Sequence, residues 1–344
     1  MPEKARVGYI DALKGFAILC VVVGHAANGY MNAGMYSDTS FLSDLHNAIY
    51  TFHMPLFFVV SGFVFGKAYL QSNSKDKNWT KWHVFDFLSV YMLHSVLVVL
   101  TQILFSRYVN GDGYANGVAS LSMIAWLPVK PFGVFWYFYT LSQLYVIFSI
   151  RRIYSLPSKW MLLLLTVISL IGTNWISASI WFHFRSLCYY MFFFYLGILL
   201  CTRREYWIFK KEIIWLAAAA AFVLCILYWL PECTINNIPT VNFIVAFGFS
   251  MLIFVAFRKY SVLGNCKILK HMGNHTLEIY LFHTYFTSGF RQIDRIFRIE
   301  NVYLSIFINS IIGVLAPVCI VQVLNRMKLA ELVLKPASFL RKKI

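Results

Sequence analysis

Three ionisable residues lie within one strongly apolar stretch near the start of the chain, YIDALKGFAILCVVVGHAAN, residues 9–28. They are Asp11, Lys14 and His25. Ionisable groups inside a bilayer span are costly and rare, so they indicate function by default. On a helix Asp11 and Lys14 share a face, and the 11 positions from Lys14 to His25 correspond to roughly 16 Å of rise. The pattern predicts a cation near one membrane face and an imidazole about two-thirds of the way across.

Structural interpretations of the same residues are also open. Lys14 can extend its ammonium group to the lipid head groups. His25 can form a polar contact between helices.

The composition identifies the class of protein. The chain has 344 residues, of which 60% are hydrophobic and only 13% charged, and its mean hydropathy is +0.66. A soluble domain is less apolar and about twice as charged. The net charge of +16 would suit nucleic acid, but the basic residues fall in short clusters between apolar runs, as in membrane proteins. We therefore predict a polytopic membrane protein that does not bind nucleic acid.

The apolar runs define the expected fold. A membrane-spanning helix needs about 20 predominantly apolar residues. The fold class predicted is all-α, a single membrane-embedded helix bundle over residues 1–344 with about ten spans. The seven cysteines are scattered without a CxxC pair, so no metal site is expected. The ten predicted spans are 9–28, 47–69, 84–107, 133–150, 160–177, 181–201, 212–230, 240–257, 274–290 and 302–324.

The basic residues between the spans predict the orientation. Of the Lys and Arg residues between the spans or at their ends, 23 lie on the side of the two termini and 5 on the other side. The positive-inside rule then places both termini in the cytoplasm of a cell whose inner (plasma) membrane holds the protein.

One connection on the opposite side, between the ninth and tenth spans, departs from this trend. It carries Arg291, Arg295 and Arg298 with Asp294 and Glu300. We favour a solvated loop in which the acidic residues balance the arginines. The alternative is that the loop binds an anionic acceptor.

The second span adds two candidate residues in the stretch FHMPLFFVVSGFVFG. With the predicted orientation, His53 and His25 can face one cavity at similar depth. Pro55 is expected to kink or open the helix because it removes a backbone hydrogen bond. Ser61 and Gly62 are small enough to let helices approach closely. His53 alone is more often a packing or capping residue.

Later spans contain further polar and aromatic candidates. Trp136 and Tyr137 can line a sugar cavity or belong to an aromatic belt at the membrane surface. Arg185 needs a partner or must extend outward. Glu278 and His283 lie inside the ninth span, and one of them is expected to be structural.

Several of these stretches together resemble the acyltransferase-3 family of integral membrane acyltransferases. The most specific are YIDALKGFAILCVVVGHA, with Lys14 and His25 at the family's basic and histidine positions, and HMPLFFVVSGFVFG. Many members have Arg at the basic position, and Lys14 keeps its charge without the bidentate fork. FWYFYTLSQLY, Arg185 with FFFYLGILL, and MGNHTLEIYLFHTYF follow in the expected order.

The resemblance implies transfer of an acyl group, usually acetyl, from cytosolic acyl-CoA to a sugar hydroxyl of an envelope or exported glycan or a lipid-linked sugar. It marks Lys14 and His25 as essential. A general base must take the hydroxyl proton, and His25 is the expected base; a covalent acyl-histidine is the variant left open. Asp11 is expected to hold Lys14 in place.

The phosphates of coenzyme A need cations, and Lys14, Lys67, Arg151 and Arg152 are the expected contacts. Ser61, Arg185, Glu278 or His283 can stabilise the thioester oxyanion or orient His25, and the sequence does not choose among them.

Two other classes of function compete with this one. A helix bundle with intramembrane His, Glu, Arg and Lys can be a proton-coupled transporter or exporter of a small solute, although no internal repeat is found. A structural subunit of a glycan-assembly complex is the weaker alternative, and it would tolerate loss of His25.

Overall fold

The protein is helical throughout the part that can be described. A computed structural model describes residues 7–70, 78–105, 120–131, 133–150, 152–153, 157–177, 181–202 and 238–341. Within these ranges no strand occurs. The α-helices are α1 Gly8–Asn32, α2 Ser40–Phe65, α3 Trp79–Leu104, α4 Ser122–Trp126, α5 Trp136–Phe148, α6 Ser158–Trp175, α7 Phe184–Thr202, α8 Pro239–Lys259, α9 Ser261–Gly264, α10 Lys267–Asn274, α11 Thr276–Phe297, α12 Val302–Arg326, α13 Ala330–Leu334 and α14 Pro336–Arg341.

Six of the described helical segments are long and apolar enough to cross a bilayer. This confirms a membrane protein of the all-α class. The six segments are Gly8–Asn32, Ser40–Tyr69, Trp79–Leu104, Trp181–Thr202, Pro239–Lys259 and Val302–Arg326.

The other predicted spans have different outcomes. The prediction for 212–230 lies outside the described residues. Those for 133–150, 160–177 and 274–290 fall on α5, α6 and α11, which are not among the six segments. The total of about ten and the cytoplasmic placement of the termini stay predictions.

The chain divides into two compact units. Unit one contains Met1–Tyr50, Phe85–Tyr139 and Val262–Ile344, and unit two contains Thr51–Val84 and Thr140–Ser261. The prediction of one domain over residues 1–344 stays a prediction.

Helix α1 is the element around which unit one is packed. It contacts α10, α11 and α12. Residue numbers increase in the same direction along α1 and α11, because His25 lies beside His283 and Tyr30 lies beside Asp294. A Cβ on Gly313 of α12 would meet Val22 of α1, whereas Tyr36 beyond the end of α1 contacts Ser305 near the start of α12. Helices α1 and α11 therefore run parallel and α12 runs antiparallel to them, as their predicted order requires.

Paired glycines allow α1 and α10 to pack with their backbones in contact. A Cβ on Gly15 would lie 1.8 Å from the Leu269 carbonyl oxygen, and a Cβ on Gly273 would lie 1.8 Å from the Asp11 carbonyl oxygen. No side chain fits between the two helices at these points. Small residues at such crossings are typical of helix packing in membranes, where no hydrophobic driving force brings helices together.

Unit two uses the same arrangement between α2 and α7. A Cβ on Gly62 would lie 1.9 Å from the Phe194 carbonyl oxygen, and a Cβ on Gly197 would lie 1.9 Å from the Val59 carbonyl oxygen. The sequence-based expectation of a close approach at Gly62 is confirmed. Pro55 lies inside α2, which continues to Phe65.

The C-terminal helices of unit one are held against α3. Asp86 accepts hydrogen bonds from Ser338 and from Arg341, each at 2.9 Å. Deeper in the same unit, the His94 Nε2 lies 3.1 Å from the carbonyl oxygen of Val333 and donates to it. These contacts attach the segment after α12, which contains α13 and α14, to α3.

The packing of α1 on α10 gives a stability prediction. Replacing Gly15→Ala forces a methyl group into the Leu269 carbonyl and should lower the free energy of unfolding by about 1–3 kcal/mol. Thermal unfolding of the detergent-solubilised protein measures this change. The matched control is Gly289→Ala on α11, where a Cβ meets nothing within 4 Å, and that variant should be neutral or more stable by up to about 1 kcal/mol. Equal melting temperatures for the two variants would contradict the proposed packing.

Candidate functional site

The Lys14 end of α1 carries a paired charge. The Lys14 Nζ lies 3.4 Å from the Asp11 Oδ1, one turn earlier on the same helix, with both side chains mostly buried. This is the arrangement in which Asp11 can hold Lys14. The carboxylate sits in the first turn of α1, where the helix dipole also favours a negative charge.

Helices α10 and α11 bring more titratable groups to the same end of α1. The Lys270 Nζ lies beside Gly8, because a Cβ there would be 2.9 Å from it. The His275 Nδ1 lies 3.4 Å from the Glu278 Oε1, and the rings of His271 and His275 are 4.8 Å apart between centroids. Glu278 is a candidate that the sequence alone suggests, whereas Lys270 is placed here only by the glycine contact between α1 and α10.

His25 lies on the same uninterrupted helix as Lys14, so the predicted separation of roughly 16 Å along the axis holds. The His25 ring is half-buried. Its Nδ1 lies 3.2 Å from the Tyr50 hydroxyl, and its ring centroid lies 5.3 Å from that of His283 on α11. Of the residues that the sequence analysis proposed as orienting His25, the structure brings His283 to it within unit one.

His283 has a defined tautomer. Its Nδ1 lies 3.0 Å from the Ile279 carbonyl oxygen and 2.9 Å from that of Tyr280, and carbonyl oxygens only accept. The Nδ1 therefore carries the proton, and the Nε2 of the neutral ring carries a lone pair. That Nε2 is buried and has no hydrogen-bond partner. A buried acceptor without a donor is unfavourable by about 1–3 kcal/mol, which structures rarely retain without a function.

Aromatic residues of α5 reach the same helix. The Tyr137 ring is 5.6 Å from that of Tyr280, and the Tyr280 hydroxyl donates to the carbonyl oxygen of Val134. Tyr280 is in turn 6.1 Å from His283 between centroids. Tyr137 is thus buried one ring away from His283, whereas Trp136 is only half-buried.

A second polar group lies beyond His25 toward the end of α1. We call Tyr30, Arg291, Asp294 and Asn309 the Asp294 cluster. The Tyr30 hydroxyl donates to the Asp294 Oδ2 at 2.5 Å. A Cβ on Gly29 would lie 2.0 Å from the Arg291 Nη1, so the guanidinium packs directly on the backbone of α1.

These residues correct the sequence-based interpretation of the ninth-to-tenth connection. Arg291 and Asp294 are not in a solvated loop, because α11 continues to Phe297 and the two side chains are 3% and 0% exposed. Loss of hydropathy ended the predicted span at residue 290, although the helix itself continues. Arg298 and Glu300 do lie beyond the helix and are exposed.

The connection between α1 and α2 covers the Asp294 cluster. The Tyr36 hydroxyl donates to the Ser305 Oγ at 2.7 Å and lies 3.1 Å from the Ile299 carbonyl oxygen. Burial, with a smaller contribution from the nearby Asp294 charge, raises the pKa of Tyr36 above its ordinary value. Tyr36 therefore stays protonated and serves as a donor that ties this connection to the start of α12.

The remaining predicted site residues lie in unit two. His53 is buried in α2, and Ser61 is half-buried two turns later. Arg185 at the start of α7 donates from Nη2 to the Thr173 carbonyl oxygen at 2.9 Å, which gives it a partner at the end of α6.

The cations predicted to bind phosphate in unit two have separate positions. Lys67 is half-buried in the π-helical turn Gly66–Leu70, and Arg152 is exposed. Arg151 lies outside the described residues.

The described ranges contain no group of three or more His, Cys, Asp or Glu side chains that could hold a metal ion. His94 and His283 bond to carbonyl oxygens, His25 lies beside the Tyr50 hydroxyl, and His275 lies beside the Glu278 carboxylate.

Comparison with known proteins gives one match. No curated protein and no solved structure matches the chain. The model of the acyltransferase-3 family, described as an acyltransferase domain, matches residues 7–325 and thus nearly the whole chain. The match includes α1 with Lys14 and His25, as well as α11 and most of α12. This protein therefore belongs to the acyltransferase-3 family of membrane proteins.

Proposed function

We propose that this protein is an acyl-CoA-dependent O-acyltransferase of the cell inner membrane. It moves an acyl group, acetyl in the first instance, to a hydroxyl of an envelope or exported glycan or of a lipid-linked sugar. The observation that carries the proposal is the content of one continuous helix, α1. It holds a half-buried cation near one end and, roughly 16 Å further, an imidazole close to a second imidazole with an unpartnered lone pair.

His25 is the general base in this mechanism. A sugar hydroxyl is a weak nucleophile, so its proton must leave as its oxygen attacks the thioester carbonyl. The Tyr50 hydroxyl oxygen can accept a hydrogen bond from the His25 Nδ1, which leaves the Nε2 lone pair for the substrate. The new C–O bond forms, the C–S bond breaks, and the proton held by His25 passes to the departing thiolate. An acyl-imidazole intermediate would form on the same nitrogen.

His283 is a positioning residue for His25. When His25 takes up a proton its ring gains a positive charge, and the lone pair of the nearby His283 Nε2 can stabilise that charge. The interaction is weak in the resting state and strong when charge develops. Only such differential interactions accelerate a chemical step.

The Lys14 end of α1 suits the charged part of the donor. Coenzyme A carries several phosphates, and hydrogen bonds from a cation to phosphate are among the strong ones in proteins. Asp11 orients Lys14, and Lys270 adds a second ammonium group at this end. The extended pantetheine arm is comparable in length to the axial distance between Lys14 and His25. Lys67 and Arg152 in unit two are further proposed phosphate contacts.

Loss of the base should abolish transfer. His25→Ala should lower the rate of acetyl transfer from labelled acetyl-CoA by about 10²- to 10⁴-fold, the usual contribution of a positioned base. Purified protein in detergent, supplied with glycan extracted from the envelope, measures this rate. His183→Ala, a histidine in unit two without a proposed role, serves as the control and should keep the parent's rate. If His25→Ala transfers acetyl normally at a normal protein level, the proposed base is wrong; solute uptake without acetyl-CoA turnover by the parent would support a transporter.

Two substitutions of His283 distinguish the roles of its two ring nitrogens. The amide nitrogen of Asn takes the place of the Nδ1, which donates to the backbone. The amide oxygen of Gln takes the place of the Nε2, which is an acceptor. His283→Asn should therefore lower kcat by about 10- to 100-fold with an unchanged KM for acetyl-CoA, and His283→Gln should retain clearly more activity. Steady-state kinetics of both variants test this assignment. Equal losses in Asn and Gln would show that the Nε2 lone pair has no role.

The charge at position 14 should affect donor binding rather than the chemical step. Lys14→Ala should raise the KM for acetyl-CoA by about 10-fold or more, because hydrogen bonds to charged groups contribute about 1.5–3 kcal/mol. Lys14→Arg keeps the charge and should stay close to the parent. Titration of acetyl-CoA at saturating acceptor gives both values. Parent-like KM values for both variants would remove Lys14 from the donor site.

A further inference from the structure

The Asp294 cluster is the most polar buried group of unit one that the donor chemistry does not use. Tyr30, Asp294 and Asn309 are each 0% exposed and Arg291 is 3% exposed. Such residues inside a membrane bundle are rare and indicate a function.

Several buried polar atoms of the cluster have no hydrogen-bond partner. They include the Asp294 Oδ1 and the Asn309 Oδ1, and the Asn309 Nδ2 lies beside the Tyr30 hydroxyl, to which it can donate. A group that served only to join α1, α11 and α12 would satisfy its buried polar atoms, because leaving them unpaired opposes folding. One carboxylate oxygen and one amide instead offer two acceptors and a donor pair to another molecule.

The position of the cluster relates it to the proposed base. Gly29, against which Arg291 packs, follows His25 by four residues and therefore lies on the same face of α1, about 6 Å further along. On α11, Arg291 and Asp294 follow His283 by 8 and 11 residues, a spacing that also keeps one helix face. The cluster thus continues the row of side chains that begins with His25 and His283, on the side away from Lys14.

The charges of the cluster indicate the chemistry of its ligand. One guanidinium and one carboxylate cancel, so the cluster has no net charge to attract or repel an ionised sugar. Hydroxyl groups both donate and accept, and they match a carboxylate oxygen and an amide at once. Tyr36 lies over the cluster, with its ring centroid 5.7 Å from that of Tyr30 and its hydroxyl donating to Ser305.

We propose that the Asp294 cluster binds the acceptor sugar, through hydroxyl groups that neighbour the one to be acylated, and that this sugar is uncharged. The inference rests on the proposed acyltransferase function. Asp294 and Asn309 hold the ring while His25 removes the proton of the reacting hydroxyl. A site built to pair with substrate hydroxyls loses specificity strongly when one of its own polar groups is removed.

The test separates acceptor binding from donor chemistry. Membranes are prepared from the source cell with the chromosomal copy replaced by Asp294→Asn, Asn309→Ala or Glu300→Gln, and labelled acetyl-CoA is added. Two products are counted: labelled glycan, which reports transfer to the acceptor, and labelled free acetate, which reports transfer to water. Glu300 is an exposed acid of the neighbouring connection and provides the matched control.

We expect the cluster variants to change the amount of labelled glycan but not to reduce the amount of labelled acetate. Asp294→Asn and Asn309→Ala should lower glycan labelling by about 10-fold or more while acetate release stays at the parent level or rises, and Glu300→Gln should change neither. Intact acetate release also shows that the variants fold. The acetylated residues released from the parent's glycan should be neutral sugars by mass spectrometry.

Other outcomes overturn one of the two proposals. Unchanged glycan labelling, a parallel loss of both products, or acetylation confined to uronic or phosphorylated residues would each contradict acceptor binding at the Asp294 cluster. If the parent yields neither product above a His25→Ala membrane, the acyltransferase proposal itself fails.

Discussion

The bilayer constraint on buried polar atoms determines the organisation of unit one. Lipid offers no hydrogen bonds, so each polar atom at membrane depth must find a partner within the protein or be held ready for a ligand. Along α1 most such atoms are paired: Lys14 with Asp11, His25 with Tyr50, and Tyr30 with Asp294. Among the unpaired buried atoms are those of His283 and Asp294 on α11 and of Asn309 on α12, and both of these helices pack against α1.

Close packing of helix backbones makes this arrangement rigid. Gly15 and Gly273 bring α10 into contact with the first turns of α1, and Gly29 lets Arg291 pack against its last turns. The helix is therefore fixed near both ends by contacts that a side chain would prevent. A rigid α1 keeps a constant distance between the cation that we assign to the donor and the imidazole that we assign to the chemistry, which is what positioning in catalysis requires.

The sequence predicted the features that depend on a single helix. The membrane class, the helical stretch around 9–28 and the spacing of Lys14 from His25 follow from hydropathy and helical rise alone. The pairing of His25 with His283 joins residues that are 258 positions apart, and no local pattern carries that contact. The sequence could name His283 as a candidate among four, and only tertiary packing selects it.

The Asp294 cluster shows where hydropathy misleads. Arg291 and Asp294 interrupt an apolar run, and a window average assigns such residues to a loop. In the structure α11 continues through them, because opposite charges, the Tyr30 hydroxyl and the backbone of Gly29 surround them inside the bundle. The hydropathy of a segment reports its average environment, whereas burial of individual polar side chains depends on partners from α1 and α12.

The central claim is that acyl-CoA enters from the Lys14 end and presents its acyl group to His25. An experimental structure with a non-transferable thioether analogue of acetyl-CoA tests it most directly. The phosphates should lie beside Lys14 and Lys270, and the acyl carbon should lie about 4–6 Å from the His25 Nε2, with room for the acceptor oxygen between them. An analogue bound with its acyl end away from His25, or with its phosphates at the Asn32 end of α1, would contradict the account.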